Sequence, residues 1–186
     1  MTAMTGLTGP RLRAENVTVK FGGNRALSEV DIDAREGEVT GLIGPNGAGK
    51  TTLFNVITGL LAPTAGRIVL DGRDVSRLDT HKRARLGIAR TFQRLELFTD
   101  LSIRDNLRVA GEIRNTWGGF SGAVGRGPKR MNPKRMNVGR EAERVLELIG
   151  LSALADTDVS TIPTGTARVV ELGRALMIQP RVLLLD

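Results

Sequence analysis

Cysteine and tyrosine are absent from these 186 residues, histidine and tryptophan occur once each, and aromatic residues make up only 3%. Without cysteine there is neither a disulfide nor a thiolate metal site. The single histidine, His81, cannot build a histidine-based metal cluster, so any metal is expected to arrive with a bound ligand. Long apolar runs are missing too: no stretch approaches the roughly 18 residues of a membrane helix. Met1 to Pro10 lacks the charged start and apolar centre of a secretory signal, which predicts a cytoplasmic location. The 40% apolar content is still ample for one medium domain, or a core with a smaller lobe, and excludes a disordered tail.

The formal charge of +7 raises the question of nucleic acid, and its location matters more than its size. Arg126, Lys129, Arg130, Lys134 and Arg135 lie between Asn115 and Gly139 with no acidic residue, so five of the seven net charges sit there. That segment is rich in Gly, Pro and Asn, begins with Trp117 and Phe120, and has neither a helix nor a strand period. It reads as a mobile loop, either a solvated insertion or a contact for lipid headgroups, a partner subunit or nucleic acid.

The most informative stretch is Gly44-Pro45-Asn46-Gly47-Ala48-Gly49-Lys50-Thr51-Thr52, which fits the phosphate-loop pattern G-x-x-x-x-G-K-[ST]. Glycines at 44, 47 and 49 let the backbone turn its N–H groups towards phosphate oxygens, and the helix that follows adds the positive end of its dipole. Lys50 is expected to reach the β- and γ-phosphates and the Thr51 hydroxyl to ligate Mg²⁺. The same residues could be an ordinary glycine-rich turn, but their surroundings favour the phosphate loop. Val39 to Ile43 predicts a short buried strand entering the loop, and Leu53, Phe54, Val56, Ile57, Leu60 and Leu61 recur at helical spacing after it.

Elsewhere, alternation over Ala14 to Phe21 predicts a strand, Gly22-Gly23-Asn24 a turn, and Leu27 to Ala34 a second strand, together a small antiparallel unit. Arg67 to Leu70 with Asp71-Gly72 predicts a strand and turn, Thr80 to Leu86 a short helix carrying His81 on its surface, and Gly87 to Phe92 a strand ending at Gln93. A helix is predicted from Ser102, its N-cap, with Asp105 in the first turn and Ile103, Leu107 and Val109 as apolar positions. After the basic loop, Glu141 to Ile149 predicts a helix with Val145, Leu146, Leu148 and Ile149 on one face. Gly165 to Met177 predicts another, stopped by Pro180, and Val182 to Leu185 a fully apolar strand before Asp186.

In this order the pieces resemble the nucleotide-binding domain of the ATP-binding cassette (ABC) family, from the first strand to the end of the chain. The resemblance implies an α/β fold: a P-loop NTPase core with an N-terminal antiparallel β unit and an inserted helical subdomain, incomplete at the C-terminus. It divides the chain into an N-terminal extension (1–13), a β unit and core (14–93), a mainly helical subdomain (94–178) and a Walker B strand (179–186). Arg90-Thr91-Phe92-Gln93 is similar to the family's Q-loop, which implies that Gln93 touches Mg²⁺ or the attacking water and reports nucleotide state to a partner. Arg181 to Asp186 resembles the Walker B strand, so Asp186 is expected to hold Mg²⁺ through its water shell.

Ile162 to Arg168 resembles the signature motif, which in the family opens a helix towards the γ-phosphate of ATP on the opposite subunit. Only the glycine of the common L-S-G-G-Q core is kept; Pro163 and Thr164 replace the serine and first glycine, and the Thr164 and Thr166 hydroxyls, beside Gly165, are the expected donors. Phe21 sits where the family stacks an aromatic on adenine, although a strand phenylalanine can equally belong to a core. The sequences K-F-G-G near residue 20 and R-T-F-Q at 90–93, with the proline-bearing signature, look most like the ATPases of branched-chain amino acid importers.

By that resemblance the chain is expected to be the energising subunit of an importer on the cytoplasmic face of the membrane. Its expected ligands are ATP and Mg²⁺, and its expected partners a second nucleotide-binding domain and membrane permease subunits, with no direct contact to solute. The alternatives are a soluble ABC-type ATPase acting on nucleic acid or ribosomes through the basic loop, and a non-catalytic regulator. The family's catalytic glutamate and switch histidine would follow Asp186, so residues 1–186 alone are expected to bind ATP weakly and turn it over negligibly.

Overall fold

The computed structural model describes residues 10–91, 96–119 and 136–186. They divide into two compact units, the first ending at Ala89 and the second beginning at Arg90.

The first unit is built on strands β1 (Leu12–Phe21), β2 (Asn24–Ala34), β3 (Ala65–Leu70) and β4 (Arg73–Asp74), ordered β2-β1-β3-β4 with every neighbouring pair antiparallel. The expected antiparallel unit is therefore present, although β1 starts at Leu12 rather than Ala14. Strict alternation along β1 does not hold: Val17, Thr18 and Val19 are all buried. The strand bulges there, with Asn16 at φ 49° and register shifts on both sides of Val17, and a bulge resets which face successive residues occupy.

Helix α1 (Lys50–Thr58) packs beside β2, and α2 (Thr80–Arg85) beside α1. Leu53, Val56 and Ile57 of α1 are buried, as their helical spacing demands, whereas Leu60 lies past the helix end and is exposed. The predicted strand at Val39 to Ile43 is not formed: these residues adopt no regular structure, and Val39 and Ile43 are fully exposed. An apolar strand is made by the neighbours that pair with it and cover both its faces. Among the described residues no strand pairs with this one.

The second unit is mainly helical, with α3 (Ile103–Gly119), α4 (Val138–Leu148) and α5 (Thr164–Met177) around one core that includes Ile103, Leu107, Val145, Leu146, Val170 and Met177. Ser102 caps α3 as expected: its hydroxyl accepts the Asp105 N–H at 3.1 Å and donates to the Asp105 carboxylate at 2.9 Å. Two boundaries are corrected. Helix α3 runs on to Gly119, through the start of the predicted loop, and α4 begins at Val138, where the Asn137 side chain accepts the Arg140 N–H at 3.1 Å. Capping by Asn137 outweighs the poor helix propensity of Gly139. The rest of the loop, with Phe120 and its five basic residues, lies outside the described residues.

Leu148 is also corrected: it is exposed, because it falls about 100° around the helix from Ile149 and away from the Val145–Leu146 stripe. Strand β5 (Ile88–Arg90) is shorter than expected, and β6 (Val182–Leu184) leaves Leu185 exposed. In the second unit β6 is tied back by the Thr91 N–H, which donates to the Leu184 carbonyl at 3.0 Å. No helix of the described residues is long and apolar enough to cross a membrane.

Candidate nucleotide site

In the first unit, Gly44 to Gly49 form an irregular turn that delivers the chain into α1 at Lys50. Gly47 and Gly49 take left-handed conformations, φ 83° and 86°. At Gly49 no side chain fits, since a Cβ would meet the Ala26 carbonyl oxygen at 2.6 Å and Leu27 Cδ2 at 2.7 Å. The loop therefore rests directly on β2, and a rigid sheet fixes where its amides point.

Helix α1 has no side-chain cap and no acidic residue in its first turn. Its first intrahelical bond is from the Leu53 N–H to the Gly49 carbonyl at 2.9 Å, so the amides of Lys50, Thr51 and Thr52 have no acceptor within the helix. Polar donors left open at the positive end of a helix form an anion site. Lys50 Nζ lies over the same loop, donating to the carbonyls of Gly44 and Pro45, both at 2.7 Å. A phosphate oxygen is a stronger acceptor for an ammonium than either neutral carbonyl. The Thr51 side chain is exposed beside it, and Pro45, Asn46 and Ala48 are exposed along the loop. Phe21, at the end of β1, is 55% exposed, which removes it from the core and leaves a ring face open.

In the second unit, the Asp186 carboxylate forms an ion pair with Arg90, both side chains being largely buried, and the Asp186 N–H donates to Thr91 Oγ1 at 3.3 Å. The arginine partner was not anticipated from sequence, where Arg90 was one residue of a motif centred on Gln93. Gln93 itself lies outside the described residues.

The signature-like segment opens α5. Pro163 precedes the helix without a side-chain cap, the first turn has no acidic residue, and Thr164 and Gly165 are exposed while Thr166 is partly so. A second uncapped helix start is thus presented to solvent, with open space around Gly165. About two to three turns further on, α5 holds the segment that follows Gln93. The Glu96 N–H donates to the Glu171 carboxylate at 3.1 Å, and Arg174 donates to the Glu96 carbonyl and lies 5.0 Å from the Phe98 ring centre. Burial pushes the Arg174 guanidinium below its usual range, with Glu171 and Glu96 opposing that shift.

Two buried polar side chains were not predicted from the sequence. Asn106 is fully buried and bonds the backbone of Phe98, Leu101 and Ser102. The signal was available, since it stands three residues after Ile103 and one before Leu107, on the apolar face. Arg83 is the other; nothing distinguishes it in sequence from Lys82 and Arg85 beside it.

The description "ABC transporter" is that of the family matching residues 27–186. The high-affinity branched-chain amino acid transport ATP-binding protein BraF of Pseudomonas aeruginosa is 37% identical over 97% of this chain and 70% of its own length. LivG of Salmonella typhimurium, a protein of the same description, is 38% identical over the same shares. Among solved structures, the ADP conformation of an ATP-binding cassette of an ABC transporter superposes with a TM-score of 0.76 at 35% identity, covering 95% of this chain and 68% of that one. CbiO1 of Clostridium perfringens, part of the cbiONQ transporter complex, gives 0.76 at 25% identity over 96% and 65%.

Proposed function

Because the chain belongs to the ABC transporter family of ATPases, we propose that it is the ATP-binding subunit of an importer for branched-chain amino acids. The observation that carries nucleotide binding is the start of α1, where unpaired amides and the Lys50 ammonium converge on one exposed loop. The observation that carries the solute class is the likeness to BraF and LivG over nearly the whole chain.

On this reading the loop amides from Gly44 to Thr52 cradle the phosphates, Lys50 exchanges its two carbonyls for β- and γ-phosphate oxygens, and Phe21 stacks on adenine. Magnesium keeps several waters and takes one or two protein oxygens besides phosphate. The Thr51 hydroxyl and the Asp186 carboxylate are donors of that kind, and when bound the ion would neutralise charge developing on the phosphates. Arg90 holds the Asp186 carboxylate in one orientation. Gln93 would touch Mg²⁺ or the attacking water and report nucleotide state to a partner, and the α5 start at Thr164, Gly165 and Thr166 would face the nucleotide of a second copy. Permease subunits would receive the motion near Gln93, at the cytoplasmic face of the membrane.

Titration of the chain with a fluorescent ATP analogue and Mg²⁺ tests the site. Charge-assisted bonds are worth about 1.5–3 kcal/mol, so Lys50→Ala is expected to weaken binding about 10- to 100-fold. The Lys50 ammonium contacts only exposed loop carbonyls, so the variant's urea midpoint should stay near that of the parent. Equal affinity in parent and variant would remove the phosphate-loop reading.

A further inference from the structure

Arg83, on α2, is 1% exposed, the most deeply buried charged side chain among the described residues. No carboxylate hydrogen-bonds to it. Instead Nη1 donates to the carbonyls of Val56 at 2.6 Å and Ile57 at 2.9 Å, Nε to Leu78 at 2.9 Å, and Nη2 to Ser76 at 2.8 Å. Burial lowers its pKa, with Asp74 opposing at a distance, yet a guanidinium stays charged.

Two of these carbonyls belong to the last turn of α1, the helix whose first turn carries the phosphate cradle. Carbonyls at a helix C-terminus lack intrahelical partners and form its negative end, so a cation there is favourable. The fork also fixes geometry, because one planar group grips two successive carbonyls of α1 and ties them to the 76–78 turn. Space is matched to it: a Cβ at Gly59 would meet Arg83 Nε at 2.8 Å and the Leu78 carbonyl oxygen at 3.0 Å. Val56 and Ile57 lie six and seven residues past Lys50, so at about 1.5 Å per residue about 10 Å of helix joins the grip to the cradle. Any slide or rotation of α1 at one end would be transmitted to the amides at the other.

We propose that Arg83 is a positioning residue for nucleotide phosphates, which clamps the far end of α1 and completes its dipole so that the loop amides are aimed before the anion arrives. Occupation of the cradle and the grip of Arg83 are then coupled, each strengthening the other. The inference rests on the phosphate-loop reading above.

The test compares the 1–186 chain with Arg83→Met, which keeps an apolar filling, and Arg83→Lys, which keeps the charge without the fork. MgATP dissociation constants and competition by pyrophosphate are measured by fluorescence on folded protein. Arg83→Met should weaken MgATP and pyrophosphate together, by about tenfold, and Arg83→Lys should restore part of the loss. A purely structural role would lower the urea midpoint and leave both constants unchanged, which overturns the proposal. Should Arg83→Met not fold, hydrogen exchange on the parent decides: saturating MgATP should slow the amides of Val56–Gly59 and Leu78–Arg83 more than those of β1. Equal slowing overturns it. If the parent binds no MgATP at all, the phosphate-loop reading and this inference fall together; if it binds and the variants match it, only this inference falls.

Discussion

Asn106 gives the sharpest arithmetic in the helical unit. Its Oδ1 accepts the Phe98 N–H at 2.9 Å, and its Nδ2 donates to the carbonyls of Phe98 and Ser102 at 3.0 Å and of Leu101 at 3.4 Å. Each of those carbonyls has another donor: Leu101 N–H on Phe98, Val159 N–H on Leu101, and the Asn106 N–H on Ser102. Truncation in Asn106→Ala therefore orphans one group, the Phe98 N–H. That omission costs about 1–3 kcal/mol, and the lost donated bonds and small void add about 1 kcal/mol. The expected loss is about 2–4 kcal/mol of stability.

Asn106→Asp separates the terms. The carboxylate keeps the bond from Phe98 N–H but turns an acceptor towards three carbonyl oxygens, which raises its pKa above the ordinary value of about 3.9. A carboxyl with a raised folded pKa is best tolerated when protonated, so the deficit against the parent is smallest below the unfolded pKa and grows as pH rises through the folded one. Urea denaturation followed by far-UV circular dichroism at pH 7 and pH 4.5 measures both variants. A deficit under about 0.5 kcal/mol for the alanine variant, or an aspartate deficit identical at both pH values, would refute the reasoning.

Two further outcomes are expected. Gly49→Ala forces a left-handed alanine, about 1–2 kcal/mol, and drives its Cβ into the Ala26 carbonyl, whereas Gly47→Ala bears only the conformational cost because nothing lies within 4 Å of its Cβ. Thermal melts should rank Gly49→Ala well below Gly47→Ala, with nucleotide binding lost in the former; equal melts would show that the loop does not rest on β2. Acid is expected to destabilise the protein. Glu141 is held below its usual range by bonds from Arg144 and then Gln179, Glu15 by Arg67 and then Arg13, and Asp156 by Arg104. With depressed folded pKa values the unfolded chain binds more protons, so stability is full above the unfolded values near pH 4–4.5 and is lost as pH falls towards the folded ones. Most of these pairs are exposed, so added salt should shrink the effect; an acid limb that is flat, or unchanged by salt, would remove them as its cause.

Local chemistry was legible in sequence wherever a short segment dictates its own geometry. The Gly-rich turn into Lys50-Thr51-Thr52 needs left-handed backbone and an open helix start, and both are found. Ser102 with Asp105 named the start of α3, and the apolar stripe of α4 named Val145 and Leu146, two of the residues it buries. Two strand-like stretches flanking the Gly22-Gly23-Asn24 turn predicted the antiparallel pairing of β1 and β2, although a bulge breaks the alternation of β1.

Distant partners were not legible, since no local pattern encodes them. Val39 to Ile43 has the composition of a buried strand, but pairing across a sheet makes a strand, and these residues have no paired neighbour among those described. Phe21 could have been core or surface on its alternation; the end of β1 leaves it exposed. Arg90 on Asp186 joins residues 96 apart in sequence, and Arg83 gathers carbonyls from as far as 27 residues upstream. Sequence determined the glycine-rich loop and the helices because both follow from backbone conformations that neighbouring residues impose. Tertiary structure alone decided which charges are buried and what they grip, because desolvation and long-range hydrogen bonds exist only once the chain has closed on itself.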